Sequence, residues 1–368
     1  MRMATDRRQA LALLAALGAI PLGSASAAAT GKGAKGTLLA AWQASDREHI
    51  GQVKLGAAEW ALQHVLEVPT RAHGLASEAG GTVLAVARRP GDWLVRWSPA
   101  TGTTQWHWME EDRRFNGHVA ADASGRHLWT TETELEQAQG LVGLRDARSL
   151  EKTSEWSTHG HDPHQLMALP ESLGRFSAGA LVVANGGIMA LPETGRTKKR
   201  LNEMDASLVV MDPAKGHLLG QWRLPDSYLS IRHLAWDPRH RRLGIALQAE
   251  HPLADERHAA PVLAVWDGSS LRIAANQPPM AGYGGDIVAL PAGGFAVSCP
   301  RVNAIATFGP DGAWRANLSL PGAYALAREA EQWWAGGLPQ IRAAGGELLQ
   351  APSGLQSLRW DNHWVPAA

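Results

Sequence analysis

A short meander of strands repeats roughly every 40 to 50 residues along this chain, and repetition at that period leaves few folds open. Beyond the first thirty or so residues, apolar residues come in brief bursts bounded by Gly, Pro, Asp or Asn, without the spacing of an amphipathic helix. The stretch 82–87 reads as a strand and 93–97 follows across Arg89-Pro90-Gly91-Asp92. The turn Pro99-Ala100-Thr101-Gly102 then leads into 104–108. Such a meander returns as 127–131 with 140–146, 180–185 with 207–212, 243–247 with 262–267, and 294–298 with 304–308. A strand ending in Asp, a tight turn such as Pro213-Ala214-Lys215-Gly216, and another strand is the outer half of a propeller blade. The fold expected is therefore all-β, a single β-propeller over 36–366 with seven blades of four-stranded meanders; six blades is the alternative. The seventh blade would be assembled from 37–68, the C-terminal segment, or both, with 355–365 the candidate to pair with the N-terminal strands. The stretch 186–204, rich in Gly, Arg and Lys, is too long for a hairpin and reads as an insertion on one face.

Composition agrees. Thirty-nine glycines and twenty-one prolines suit many turns, and sixteen tryptophans suit wedges between blades. Cys299 is the only cysteine, so no intramolecular disulfide can form. The 35 basic residues balance 35 acidic ones, which removes any electrostatic case for nucleic acid or an anionic membrane. Residues 1–8 are polar and basic, 10–22 are apolar, and Ala25-Ser26-Ala27 offers a small-residue cleavage site, so 1–27 reads as a signal peptide and 28–35 as a flexible linker. Arg7-Arg8 directly before the apolar stretch suits the twin-arginine route, with the general secretory route as the alternative. Either route ends outside the cytoplasm, so the mature chain is expected to be periplasmic. The apolar stretch is shorter than the roughly 20 residues that span a bilayer, and no membrane span is expected of a chain read as a monomer.

The histidines carry the functional signal. His73, His118, His164 and His233 each stand just before or at the start of the first strand of a blade, Asp286 holds that place in the next, and Tyr324 is the candidate in the last. Their intervals are 45, 46, 69, 53 and 38 residues, the longest containing the insertion. First strands line the central channel, so these side chains are expected to converge at one channel mouth. Neutral imidazoles with a carboxylate suit iron, copper, zinc or manganese, and His161 adds a donor beside His164. Two readings stay open: a shared metal or ligand site, or histidines that brace each blade by hydrogen bonding. Arg71 and Arg232 are candidates for binding an anionic group, with surface salt bridges as the alternative, and Asn185 for contacting a ligand, with an ordinary turn as the alternative. His49, His64, His217 and His363 read as surface residues. No G-x-S-x-G, H-E-x-x-H, phosphate-binding or dinucleotide motif occurs, and no C-x-x-C-H attaches haem, so no catalytic residue is assigned.

Several stretches together carry a resemblance. They are Arg71-Ala72-His73-Gly74, Gly117-His118, His159-Gly160-His161-Asp162-Pro163-His164, Ala184-Asn185-Gly186-Gly187-Ile188, Leu201-Asn202-Glu203-Met204 and Ser230-Ile231-Arg232-His233-Leu234. With the leader, they resemble a family of exported bacterial propeller proteins known only as a domain of unknown function, over nearly all of the mature chain. The chain departs from that family's pattern at Val119-Ala120-Ala121, where a Phe-Ser pair would follow Gly-His. The resemblance implies a role around iron acquisition, because such proteins tend to be encoded beside imelysin-like iron-regulated proteins and a dihaem peroxidase-like protein. It makes other periplasmic iron-uptake proteins the candidate partners, and with the histidine donors it leaves iron or copper as the candidate cofactor. A binding propeller, a protein–protein scaffold and a metal-dependent enzyme remain in that order.

Overall fold

In the computed structural model, which describes residues 36–189, 198 and 200–368, seven antiparallel sheets form a β-propeller. The predicted signal peptide and linker lie outside the described residues. Six blades are consecutive meanders in which the first strand is innermost. They run from β4 (Ala72–Ser77) to β7 (Thr104–Trp108), β8 (Arg113–Ala121) to β11 (Lys152–Ser157), and β12 (Pro163–Ala168) to β15 (Leu218–Trp222). The others run from β16 (Leu229–Asp237) to β19 (Leu271–Ile273), β20 (Ile287–Ala289) to β23 (Trp314–Ser319), and β24 (Ala325–Glu329) to β27 (Leu348–Leu349). Among the described residues the only α-helix is the short Ala254–Ala259 segment, and no helix is long and apolar enough to cross a membrane.

The seventh blade joins the chain ends. β1 (Gly36–Ala44), β2 (Arg47–Leu55) and β3 (Trp60–Val68) supply three strands, and β28 (Arg359–Trp360) with β29 (Val365–Pro366) supplies the inner one. Trp42 pairs with Trp360, Leu38 pairs with Pro366, and the Ala367 N–H donates to the Thr37 carbonyl at 2.8 Å. Both candidate sources of this blade thus contribute, and the C-terminal strands cover the edge that β1 would otherwise leave unpaired.

Burial explains why the strands read as they do. The Val83–Ala87 strand (VLAVA) of the second blade and the Leu181–Asn185 strand of the fourth are buried at every position, because both sheet faces pack on neighbouring blades. Such strands appear as continuous apolar runs. Outer strands such as β11 and β23 face water and are polar or alternating. Seven separate apolar clusters fill the interfaces between successive blades, and tryptophans dominate the one at ring closure, with Trp42, Trp60, Trp334, Trp360 and Trp364. The Asp-ended turns are held by their own carboxylates. Asp212 Oδ1 accepts the N–H groups of Ala214 and Lys215 at 2.9 and 2.7 Å, and Asp267 Oδ1 accepts those of Ser269 and Ser270 at 2.9 and 2.8 Å. The insertion begins after the Leu181–Asn185 strand and ends before the Ser207–Met211 strand; 190–197 and 199 lie outside the described residues.

Candidate metal centre

Each of these inner-strand histidines sits where its strand slips out of register. Pairing with the next strand breaks between Ala72 and Leu75, Phe115 and Val119, Pro163 and Leu166, and Ile231 and His233, which brackets or adjoins His73, His118, His164 and His233. His363 lies in the corresponding break between β28 and β29. An irregularity of this kind frees a side chain from the alternating pleat and lets it turn toward the axis. Close packing at this level demands glycine: a Cβ on Gly74 would lie 2.3 Å from the Gly117 carbonyl oxygen, and Gly117, at φ +104°, abuts the His73 ring.

Five imidazoles converge as a result. His73, His118, His233 and His363 each offer a ring nitrogen, and these four nitrogens lie within 4.8 Å of one another. His164 packs against two of them, its Nε2 lying 3.3 Å from Nε2 of His73 and 2.6 Å from Nε2 of His233. All five are buried, between 1 and 9% exposed. Burial pushes the His73 pKa down to about 3, with the neighbouring His363 adding to the fall and Asp361 opposing it. Burial likewise holds His118, His164 and His233 well below the usual histidine range, reinforced by the other imidazoles and by Arg232. Neutral rings keep lone pairs available for a metal.

Two carboxylates stand behind this set. Asp286 Oδ1 lies 3.0 Å from Nδ1 of His363, while its carboxylate accepts backbone N–H groups from Ile287, Leu326 and His363 at 2.8, 2.9 and 3.0 Å. Asp361 Oδ1 lies 3.6 Å from Nδ1 of His73 and also accepts the Arg71 Nη2–H at 2.9 Å. Burial alone would raise the Asp361 pKa, but His73 and Arg71 outweigh it and hold the carboxyl well below its ordinary range. The Asp286 contact fixes the His363 tautomer and aims its Nε2, the arrangement found behind metal-ligating histidines, whereas Asp361 lies too far from His73 Nδ1 for a direct hydrogen bond. The chemistry of the donor set fits a transition-metal ion. Nε2 of His118 and of His363 is buried with no hydrogen-bond partner, a costly state that an ion would relieve. Bonds of about 2.0–2.1 Å would require the four nitrogens to draw in to about 3.4 Å.

One side of the cluster opens onto the axis. A cavity of about 310 Å³ is lined by all seven inner strands and touches His118 and His363, with Leu166, Leu234, Ile287 and Trp364 among its walls. The opposite side carries charge: Asp162 is fully buried and bonds both Arg89 and Arg232, the latter at 2.7 Å.

The structure thus brings His73, His118 and His233 together in the metal-competent set and places His164 against them. Asp286 stands behind His363 rather than facing the centre, because its carboxylate is occupied by backbone donors. His161 lies outside the set, its Nδ1 2.8 Å from the Ala138 carbonyl oxygen. Asn185 is buried, its Nδ2 donating to the Thr158 carbonyl at 2.9 Å while its Oδ1 has no hydrogen-bond partner, and Arg71 is paired with Asp361. His363 corrects the sequence reading. It is 8% exposed and belongs to the cluster, whereas His64 and His217 are exposed and His49 is half-buried, stacked on Trp42. Asp361 was also missed. The signal available was Asp361-Asn362-His363 inside a segment already read as a partner of the first strands, but two-residue strands leave no apolar run to align with the other blades.

Residues 66–367 match the family described as "Protein of unknown function (DUF1513)". No curated protein matches the sequence. Among solved structures, virginiamycin B lyase from Staphylococcus aureus is 12% identical at a TM-score of 0.54, over 77% of this chain and 84% of its own. Kuenenia stuttgartiensis hydrazine synthase is 10% identical at 0.58, over 81% and 91%. A chain of the mitotic checkpoint complex is 13% identical at 0.51, over 76% and 78%. At these identities the likeness is one of fold alone.

Proposed function

We propose that this chain, which belongs to the DUF1513 family, is an exported propeller that binds one first-row transition-metal ion through His73, His118, His233 and His363. The observation that carries this reading is the convergence of four buried ring nitrogens within 4.8 Å of one another, two of them on rings backed by carboxylates. Iron and copper are the ions we favour, for a role in periplasmic metal acquisition alongside other exported iron-uptake proteins. The axial cavity of about 310 Å³ would give the ion its route. A second reading, in which the imidazoles only brace the blades, draws support from the 2.6 Å contact between His164 and His233.

Elemental analysis separates the two. Mature protein purified after export, without chelator or added histidine tag, should carry close to one equivalent of metal, and a His118→Ala His233→Ala variant should carry none. Protein that is empty and takes up no added iron, copper, zinc or manganese would sink the metal reading and leave the histidines as braces.

A further inference from the structure

We infer that His164 is a fifth ligand of the ion, standing opposite His363, so that five imidazoles close a trigonal-bipyramidal shell with no position left for a substrate. This fifth ligand rests on the metal site proposed above and deepens it, because a closed shell holds an ion without presenting it for reaction.

The spacing of the rings carries the geometry. Imidazoles bound to one ion through bonds of about 2.1 Å have ring centroids about 3.2 Å from it, and a tetrahedral set would hold every pair of rings about 5.2 Å apart. The rings of His73, His118, His233 and His363 do not share one spacing. The first three form a triangle with sides of 4.9, 5.8 and 5.7 Å, whereas His363 lies 4.8, 4.8 and 4.2 Å from its corners. The circumradius of that triangle is about 3.2 Å, so an ion at its centre stands at bonding range from all three rings.

His164 lies 5.2, 5.0 and 4.5 Å from the same three rings. A ring at those distances can sit on only one of two sides of the triangle, and His363 fills the other. A trigonal bipyramid built on the same bonds sets equatorial rings about 5.5 Å apart and axial rings about 4.5 Å from them. On average the triangle here is the wider set, and both caps lie closer. Chain topology agrees, since β12, which carries His164, stands three blades round from β28 and β29, which flank His363.

The His164 ring is buried and held for this role. Its carbonyl accepts the Thr131 hydroxyl at 2.9 Å, which fixes its strand to the preceding blade. Its Nε2 faces the triangle, 3.3 Å from Nε2 of His73 and 2.6 Å from Nε2 of His233. Axial and equatorial nitrogens on one ion lie about 3.0 Å apart, and the two contacts straddle that spacing. Without metal, one ring must donate an N–H to the other across the 2.6 Å contact; an ion takes the place of that proton and keeps both rings where they are. Catalytic metal sites keep a position open for water or substrate, and a shell completed by protein does not. Five neutral nitrogens suit the first-row divalent ions, with Cu²⁺ at the head of the general order of affinity.

The test is the visible spectrum of the mature protein loaded with Co²⁺, whose bands are intense in tetrahedral sites and weaker at five-coordination. The wild-type protein should give the weaker bands, unmoved by millimolar azide or imidazole. His164→Ala should lower Co²⁺ affinity by at least about 10-fold, since loss of even an outer-shell partner costs about that much. It should also intensify the bands and open a position that added imidazole fills, returning the spectrum toward that of the wild type. Intense tetrahedral bands in the wild-type protein, a shift on adding azide, or a folded His164→Ala variant with unchanged spectrum and affinity would overturn the fifth ligand while leaving the four-histidine site standing. The wild-type spectrum alone decides the matter if His164→Ala fails to fold. A wild-type protein that binds no Co²⁺ would bring down the metal site itself, and the fifth ligand with it.

Discussion

Acidification should destabilise the metal-free protein from about pH 6.5 downward. His73 has a folded pKa of about 3 against the ordinary 6.5, so as pH falls the unfolded chain binds a proton that the native state refuses. The sign follows: the stability contributed by the neutral ring is complete above about pH 6.5, drains as pH falls, and is gone near the folded value. Between about pH 7.5 and about pH 4.5, this single ring costs about 3 kcal/mol. His118, His164 and His233 are shifted the same way and deepen the loss. Asp361, held low by His73 and Arg71, stays ionised throughout that window and does not confuse the result. Urea unfolding followed by the fluorescence of the sixteen tryptophans, with chelator present, measures the loss directly. Zn²⁺ added at the higher pH should raise the midpoint and at the lower pH should not. A free energy of unfolding at about pH 4.5 within about 1 kcal/mol of that at about pH 7.5 would refute the reasoning, since the histidines would then not be buried as neutral rings.

Asp286→Asn removes the charge behind His363 but keeps its shape, and should weaken metal binding by about 10- to 100-fold in competition with a chromogenic chelator. Unchanged affinity would mean that Asp286 serves only the backbone donors of Ile287, Leu326 and His363. Deleting residues 354–368 removes β28, β29, Asp361 and His363 and bares the edge of β1, so the cooperative thermal transition in circular dichroism should be lost and the protein should associate on size exclusion. A truncated chain that melts as the full chain does would show that the seventh blade is stable without its inner strand.

Much of the blade architecture is legible in the linear order of residues, because a strand buried on both faces must be apolar throughout. The Val83–Ala87 and Leu181–Asn185 strands announce themselves in this way, and Asp146, Asp212 and Asp267 mark the turns they cap. The inner-strand histidines are legible too, since a periodic fold returns equivalent positions at a regular interval. What resists such reading is anything carried by pairs of very short strands. β28 and β29 have two residues each, and their place beside β1 is set by pairing across the whole length of the chain.

The chain's own order of residues therefore determined the propeller, the recurrent first-strand positions of His73, His118, His164 and His233, and the identity of the chemistry they could support. Only the tertiary structure decided which side chains reach the axis together. Ring closure inserts His363 among the imidazoles and sets Asp361 behind His73, and a break in strand register turns each histidine inward. Backbone donors draw Asp286 away from the centre, and local hydrogen bonds hold His161 and Asn185 apart from it. These outcomes depend on register and on contacts between residues hundreds of positions apart, which no local pattern encodes.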